Sequence, residues 1–374
     1  MKNNEVLKSN KYKIAVICPY PYGVAAGQRL KYEQYFANWR ENHFEIQIFP
    51  FMSHKLWKIA YKKGFLFSKI IETIYGYCKR WYLLFIIHKY DIVYIHQWTT
   101  PYGSSLYDII IKNRSRKLIY DIEDFVTEKN SNKASTSKFI QFFRFTSRIK
   151  FLVKNADHVI SSSPSLNDYC ISLNKLSSST FISSSINTNR FIPKNNYEND
   201  HKIVIGWTGT FSSKPFLESI IGYLKELNSI RDFKLRIISN CNFEIDDLDI
   251  ELIEWSKEKE VEDLQGIDIG LYPLENSKWV LGKSGLKALQ YMSFGIPTVA
   301  TSVGTSKDII NNNINGFLVN SRDEWINTLK KLIDDNALRK RIGLEARETI
   351  INNYSNIVIK HQYLKILNNQ INYE

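Results

Sequence analysis

Short runs of β-branched and aliphatic residues alternate with helical patterns along most of the chain, and this alternation confines it to few folds. Residues 13–18 (KIAVIC) open the series. A turn-rich stretch (PYPYGVAAG), a helical pattern over 28–40 and a second strand pattern over 44–49 follow. Segments 91–96, 117–120 and 156–161 have the same strand composition, and 106–111 reads as helix. Strands separated by helices form βαβ units, which build parallel sheets because a parallel neighbour needs a long crossover.

A Ser- and Asn-rich stretch, 177–194, and an aperiodic polar segment, 195–201, interrupt the series and read as a linker. The alternation then resumes with 202–207 (KIVIGW), the loop TGTFSSK and a helix from Pro215 to Asn228. Further strands are expected over 233–238, 250–254, 267–272 and 297–300, and helices over 258–264, 286–294, 324–335, 337–353 and 356–370. The expectation is therefore an α/β protein with two Rossmann-like doubly wound domains, 1–195 and 196–355, facing a cleft. A C-terminal helix, 356–374, follows them and crosses back to the first domain. A length of 374 residues suits two domains.

Composition removes several classes. With 44% hydrophobic and 24% charged residues the chain is globular rather than disordered. Its four cysteines (Cys18, Cys78, Cys170, Cys241) stand far apart in sequence, which argues against a zinc ribbon, an iron–sulfur motif or a disulfide framework. The longest apolar run, 81–87, is too short to span a bilayer, and 14–18 is too short for a signal-peptide core. A reduced, cytoplasmic protein is expected.

Charge is distributed unevenly. Residues 1–200 carry a net +14, which leaves −2 for the rest of a chain whose total is +12. Between 55 and 90, eight basic residues face one acid, Glu72, and ten aromatics are interleaved with them. Such a segment can bury its aromatics among lipid headgroups while the lysines meet anionic lipid. It can equally be a helix whose Trp81, Leu84, Phe85 and His88 face the core while the lysines are solvated. Nucleic acid is the weaker alternative, because no RNA-binding aromatic signature or helix-turn-helix pattern is present.

Ligands bind open parallel sheets at the carboxyl ends of the strands, so the loops after strands carry the candidates. In PYGVAAGQR, Gly23 and Gly27 allow close backbone approach, and Arg29 could meet a phosphate or a neighbouring carboxylate. The Gly-x-Gly-x-x-Gly dinucleotide spacing is absent. Asp121, Glu123 and Asp124 crowd three carboxylates into four residues. Divalent-metal ligands, acceptors for sugar hydroxyls, a general base and a helix cap are all compatible with that run. His96 ends the preceding strand and could face the same cleft. In GWTGTFSSK, Gly209 and Thr210 turn the chain towards Lys214, whose charge suits a diphosphate held without metal. In GKSGLKALQYMSFGIPTVATSVG, Lys283, Ser284, Gly285 and Leu286 lead into a helix as an anion site, with Gln290 two turns on. The spacing is not that of a Walker loop.

These segments together resemble the family 4 retaining glycosyltransferases of GT-B fold. The similarity runs through PYPYGVAAGQRLKYEQY, LIYDIEDF, IGWTGT and, most specifically, GLKALQYMSFGIPTVATSVG with NGFLV after it. That last segment is similar to the family's Glu-Ala-Met-Ala-x-Gly-x-Pro-Val-Val-Ala block. The resemblance implies an acceptor-side domain first and a nucleotide-sugar domain second. It implies a retaining, metal-independent hexosyl transfer with no cofactor beyond the nucleotide-sugar co-substrate.

Gln290 stands where the family's second motif Glu binds the donor ribose, and Gly282 where the first motif Glu would be. Lys214 matches the diphosphate-binding Lys, Thr210 takes the place of the preceding Arg, and Lys283 is a substitute cation. Asp121 lies near the family's cleft His. With Asp124 or His96, it would orient the sugar or the acceptor. The basic–aromatic segment fits a lipid-linked glycan acceptor at the inner face of the cytoplasmic membrane, in bacterial surface polysaccharide or lipopolysaccharide synthesis. The rival readings are a non-catalytic, membrane-peripheral binding protein of the same fold, and another GT-B enzyme such as a sugar-nucleotide epimerase.

Overall fold

Residues 11–60, 62–123, 125, 146–193 and 202–371 are described by a computed structural model. The chain divides into two compact units, Met1–Ile182 with Lys360–Glu374, and Ser183–Ile359.

The first unit is built on six parallel strands: β1 (Tyr12–Cys18), β2 (Phe44–Pro50), β3 (Ile92–His96), β4 (Lys117–Ile122), β5 (His158–Ser161) and β6 (Ser179–Phe181), in the order β2-β1-β3-β4-β5-β6. Ile14 to Cys18 and Ile92 to His96 are buried without interruption, as expected for strands covered on both faces. The second unit has β7 (Val204–Gly209), β8 (Lys234–Ser239), β9 (Ile250–Ile253), β10 (Ile269–Tyr272), β11 (Thr298–Thr301) and β12 (Phe317–Val319). Their order is β12-β11-β10-β7-β8-β9, which from the β9 edge is the 3-2-1-4-5-6 arrangement of doubly wound sheets. Leu217, Leu224 and Leu227 pack one face of that sheet with Trp325, Leu329 and Leu332.

The expected fold class is met, and the differences are local. The helical pattern over 28–40 breaks into Ala26–Arg29, a 3-10 turn at Glu33–Tyr35 and Phe36–Glu41. Residues 28–33 are all buried, and six consecutive buried side chains wrap a helix on every face, so no amphipathic stripe exists to continue. Strands β6 and β12 have three residues each, too few for a period to register.

The Ser-rich stretch is not a loose linker as far as 193. Ile186 N–H donates to the Tyr354 carbonyl (2.9 Å), and its own carbonyl accepts from Asn356 N–H (2.9 Å). Arg347 holds the carbonyls of Phe191 (2.7 Å) and Thr188 (2.9 Å). These bonds attach 183–193 to the second unit, so the first closes at Ile182 rather than at 195. Of the expected linker, 194–201 lies outside the described residues. The closing helix, Asn356–Ile371, joins the first unit from Lys360 on, where Tyr363 packs against Tyr35 (5.1 Å between rings) and Trp39 (5.9 Å).

The basic–aromatic segment forms a helix, Leu66–Ile86, whose buried residues are Gly76, Arg80, Leu83 and Leu84. Of the four residues that the core-facing alternative would bury, Leu84 is buried, while Trp81, Phe85 (69% exposed) and His88 are exposed. Leu66 (71%), Phe67 (77%), Ile70, Ile74, Tyr75 and Tyr82 extend the exposed face. Arg80 is the anchor. Its guanidinium donates to the carbonyls of Cys18 (2.9 Å), Phe49 (2.7 Å) and Thr99 (2.5 Å), just where β1, β2 and β3 end.

Candidate functional site

In the second unit the strand order reverses between β7 and β10, and a doubly wound sheet receives its ligand at the loops leaving such a pair. The loop after β7 turns tightly over Trp207. A Cβ on Gly209 would come within 2.2 Å of the indole and 2.6 Å of Ser213 Oγ, so only glycine fits. Ser213 Oγ accepts from Thr210 N–H (3.1 Å) and donates to the Thr210 carbonyl (3.1 Å), which closes the loop. Thr210 itself is exposed.

After β10 the chain passes through a short helix, Lys278–Leu281, and a turn ending in Gly285 at φ 72°, then enters the helix Leu286–Ser293. A Cβ at Gly285 would meet Ile309 Cδ1 at 2.3 Å, so that position too is limited to glycine. Thr305 Oγ1 donates to the Lys283 carbonyl (2.7 Å), and Tyr291 Oη accepts from Thr208 N–H (2.8 Å), which ties the helix to the end of β7.

Three lysines stand on aromatic rings around these loops. Lys283 Nζ lies 3.7 Å from the centre of Trp279 and 5.7 Å from that of Phe216. Lys287 Nζ lies 4.9 Å over Trp207 and donates to Ser213 Oγ (2.7 Å). Lys214 Nζ lies 4.9 Å over Phe243, donates to the Asn242 carbonyl (2.7 Å) and pairs with Glu218 (3.5 Å). The rings touch in turn, Phe243 on Trp207 (5.8 Å) and Phe216 on Trp279 (5.8 Å). A cation over a ring is worth about 0.5–2 kcal/mol, which holds the stems in place. Burial, reinforced by the Lys283 charge, pushes Lys287 down to about 7. Gln290 is buried, and its amide donates to Glu260 Oε1 (3.3 Å), while Arg190 lies 3.4 Å from the other carboxylate oxygen.

In the first unit the strand order reverses between β1 and β3. Gln28 binds both backbone groups of Tyr20, and Glu33 accepts from Gly23 N–H (2.8 Å) and Gln28 Nε2 (2.9 Å). Gly27 faces Glu123, whose Oε2 would lie 3.0 Å from a Cβ there and accepts from Gln97 Nε2 (3.0 Å). Arg29 is buried on the same short helix as Gly27. Asp121 and His96 are fully buried. Asp121 is bonded to Lys31 Nζ and Tyr94 Oη, with His96 Nδ1 at 3.6 Å. Burial alone would raise this carboxyl, but Lys31 and His96 outweigh it and hold it at about 2. Among the described residues, no group of three His, Cys, Asp or Glu side chains could hold a metal ion.

Residues 249–349 match the family model described as Glycosyl transferases group 1. That stretch is similar to a group 1 glycosyltransferase domain. No curated protein matches the sequence. The fold is that of solved GT-B glycosyltransferases. Sucrose-phosphate synthase from Thermosynechococcus elongatus superposes with a TM-score of 0.73 at 15% identity, over 96% of this chain and 99% of that one. A glycosyltransferase from Rickettsia africae gives 0.69 at 16%, over 98% and 100%. Anabaena HepE in complex with UDP-glucose gives 0.66 at 13%, over 96% and 99%.

The matched domain spans the turn and helix that carry Lys283, Ser284, Gly285, Leu286 and Gln290, and the β7 loop with Gly209, Thr210 and Lys214 packs beside it. Lys283 lies in the turn ahead of the Leu286–Ser293 helix. Lys214 starts its helix, as expected, but its ammonium is engaged by Asn242 and Glu218. Gln290 is turned to a buried carboxylate, Glu260. Asp121 and His96 do not face an open cleft, because both are sealed among Lys31, Tyr94 and Tyr32. Asp124 lies outside the described residues. Sequence reasoning missed Lys287 and Ser213 in the second unit, and Gln97 beside Glu123 in the first. The four-residue spacing from Lys283 to Lys287, which keeps two cations near one another, was the available signal.

Proposed function

We propose that the chain transfers a sugar from a nucleotide diphosphate sugar to a hydroxyl of a lipid-linked glycan, with retention at the anomeric carbon and without a divalent ion. The carrying observation is the gathering of lysines at the switch point of a 3-2-1-4-5-6 sheet, in and beside the glycosyltransferase domain. Departure of a nucleoside diphosphate leaves negative charge on its phosphoryl oxygens, and positive groups fixed in advance stabilise that charge as it develops. Lys283 and the uncapped first turn of the Leu286–Ser293 helix supply such groups. The UDP-glucose in the Anabaena neighbour supports a nucleotide sugar as donor.

The exposed face of the Leu66–Ile86 helix supports an acceptor presented at the inner face of the cytoplasmic membrane, as in bacterial surface polysaccharide or lipopolysaccharide synthesis. Lys69 is on the same helix, Lys55, Lys58, Lys62 and Lys63 precede it in sequence, and the one acid there, Glu72, is already bound by Ser53 (2.6 Å) and Lys55 (3.3 Å). Each basic residue near an anionic bilayer adds about 1 kcal/mol. A non-catalytic relative is the second reading, favoured by Gly282 and Gln290 where carboxylates would bind the donor.

A thermal-shift screen of UDP, GDP, ADP and TDP with their sugars tests the first reading, since a ligand at 100 times its Kd stabilises by about 2.7 kcal/mol. Absence of any shift would overturn it. Binding without transfer or hydrolysis would favour the second.

A further inference from the structure

We infer that Lys287 is a diphosphate-binding residue of this site, acting with Lys283 on the two phosphoryl groups of the bound nucleotide. The inference rests on the glycosyltransferase reading and assigns a role to a residue that the resemblance left unassigned. Lys287 leaves the first turn of the Leu286–Ser293 helix, crosses the face of Trp207 and ends 2.7 Å from Ser213 Oγ, at the mouth of the β7 loop. The titratable groups that act on it are Lys283, from the turn ahead of its helix, and Cys241, from the loop after β8. The other elements packed on it present a ring and a hydroxyl, Trp207 and Ser213. No carboxylate among the described residues pairs with it.

Two cations side by side, one of them half-buried over an indole without an anionic partner, are unfavourable as they stand. A group that carries negative charge on two adjacent centres reverses the sign of that interaction. A diphosphate offers two such centres and a monophosphate offers one. In the free protein the Lys287 ammonium loses its proton near neutrality. A bound diphosphate raises its proton affinity, so binding above that pH takes up a proton. Because the bound form holds more protons, nucleotide affinity falls as pH rises, by up to about tenfold per pH unit. A purely structural lysine, propping Ser213 by one hydrogen bond, would show no such slope.

The test measures binding of UDP, GDP and their monophosphates between pH 6.5 and pH 9 to the wild-type protein and to Lys287→Gln and Lys287→Arg, with circular dichroism as the check on folding. The expected results are a diphosphate affinity that weakens above pH 7 in wild type, and a loss of at least tenfold in Lys287→Gln with monophosphate affinity little changed. Lys287→Arg, charged at every pH used, retains affinity and flattens the slope, which also subtracts the nucleotide's own titration. Wild-type affinity and slope in Lys287→Gln, or rescue by glutamine but not by arginine, would overturn the inference and leave the functional reading standing. If the wild-type protein binds no nucleoside diphosphate, the functional reading falls and takes this assignment with it.

Discussion

Lys31 and Asp121 come from positions 90 residues apart and meet where neither touches solvent. Removing the cation alone leaves a buried carboxylate without compensation, so Lys31→Met should destabilise the first unit by about 3–5 kcal/mol in urea unfolding. Asp121→Asn in the same chain should recover part of the loss. The acid limb follows from the same pair. Because the folded carboxyl is held at about 2, below its ordinary 3.8, its stabilisation is complete above pH 4 and disappears as pH falls towards 2. Asp121→Asn should flatten acid unfolding in that window. Lys283→Ala should lower turnover by about 10²-fold or more, the loss expected for one transition-state donor, with the fold retained by circular dichroism. Wild-type turnover would remove Lys283 from the site.

The lysine and glycine loops were legible in the sequence because they follow strands at fixed spacing. The role of Asp121 was not, since an acidic run looks the same whether its partner is a ligand or a lysine far away in sequence.

At the scale of elements, the Leu66–Ile86 helix shows why its orientation could not be read. The strip it buries, Gly76, Arg80, Leu83 and Leu84, has helical spacing, but a glycine and an arginine occupy half of it. An amphipathic pattern is normally found by its apolar side, and here that side is the exposed one. Arg80→Met would take a donor from the carbonyls of Phe49 and Thr99, while that of Cys18 keeps Phe51 N–H (2.9 Å), and each buried unsatisfied group costs about 1–3 kcal/mol. The expected result is a loss of several kcal/mol in denaturant unfolding. Phe67→Glu with Phe85→Glu touches no core position, so stability should hold while flotation with anionic vesicles is lost. Unchanged flotation would remove the membrane role from this helix. Ten of the twelve β-strands, by contrast, were legible to within two residues at each end, because the central ones leave uninterrupted apolar runs, whereas the three-residue β6 and β12 were not.

For the molecule as a whole, the two-unit α/β plan followed from the alternation of patterns, whereas its boundary did not. Polar composition marked 177–201 as linker, but backbone bonds to Tyr354 and Asn356 and the Arg347 guanidinium recruit 183–193 to the second unit. Such long-range bonds leave no local trace in composition. If the lysines replace a divalent ion, EDTA should leave transfer unchanged, and a loss restored by Mg²⁺ would refute the metal-free reading.

The return of residues 360–371 to the first unit has a consequence for how the chain is made. Tyr363 sits between Tyr35 and Trp39, so the residues around 35–39 wait until synthesis has passed 363 before the space beside them is filled. On a ribosome adding about 5–20 residues per second, that delay exposes an aromatic hollow for many seconds. Nascent chains halted before 360 should therefore be held by chaperones far more than those released beyond 371.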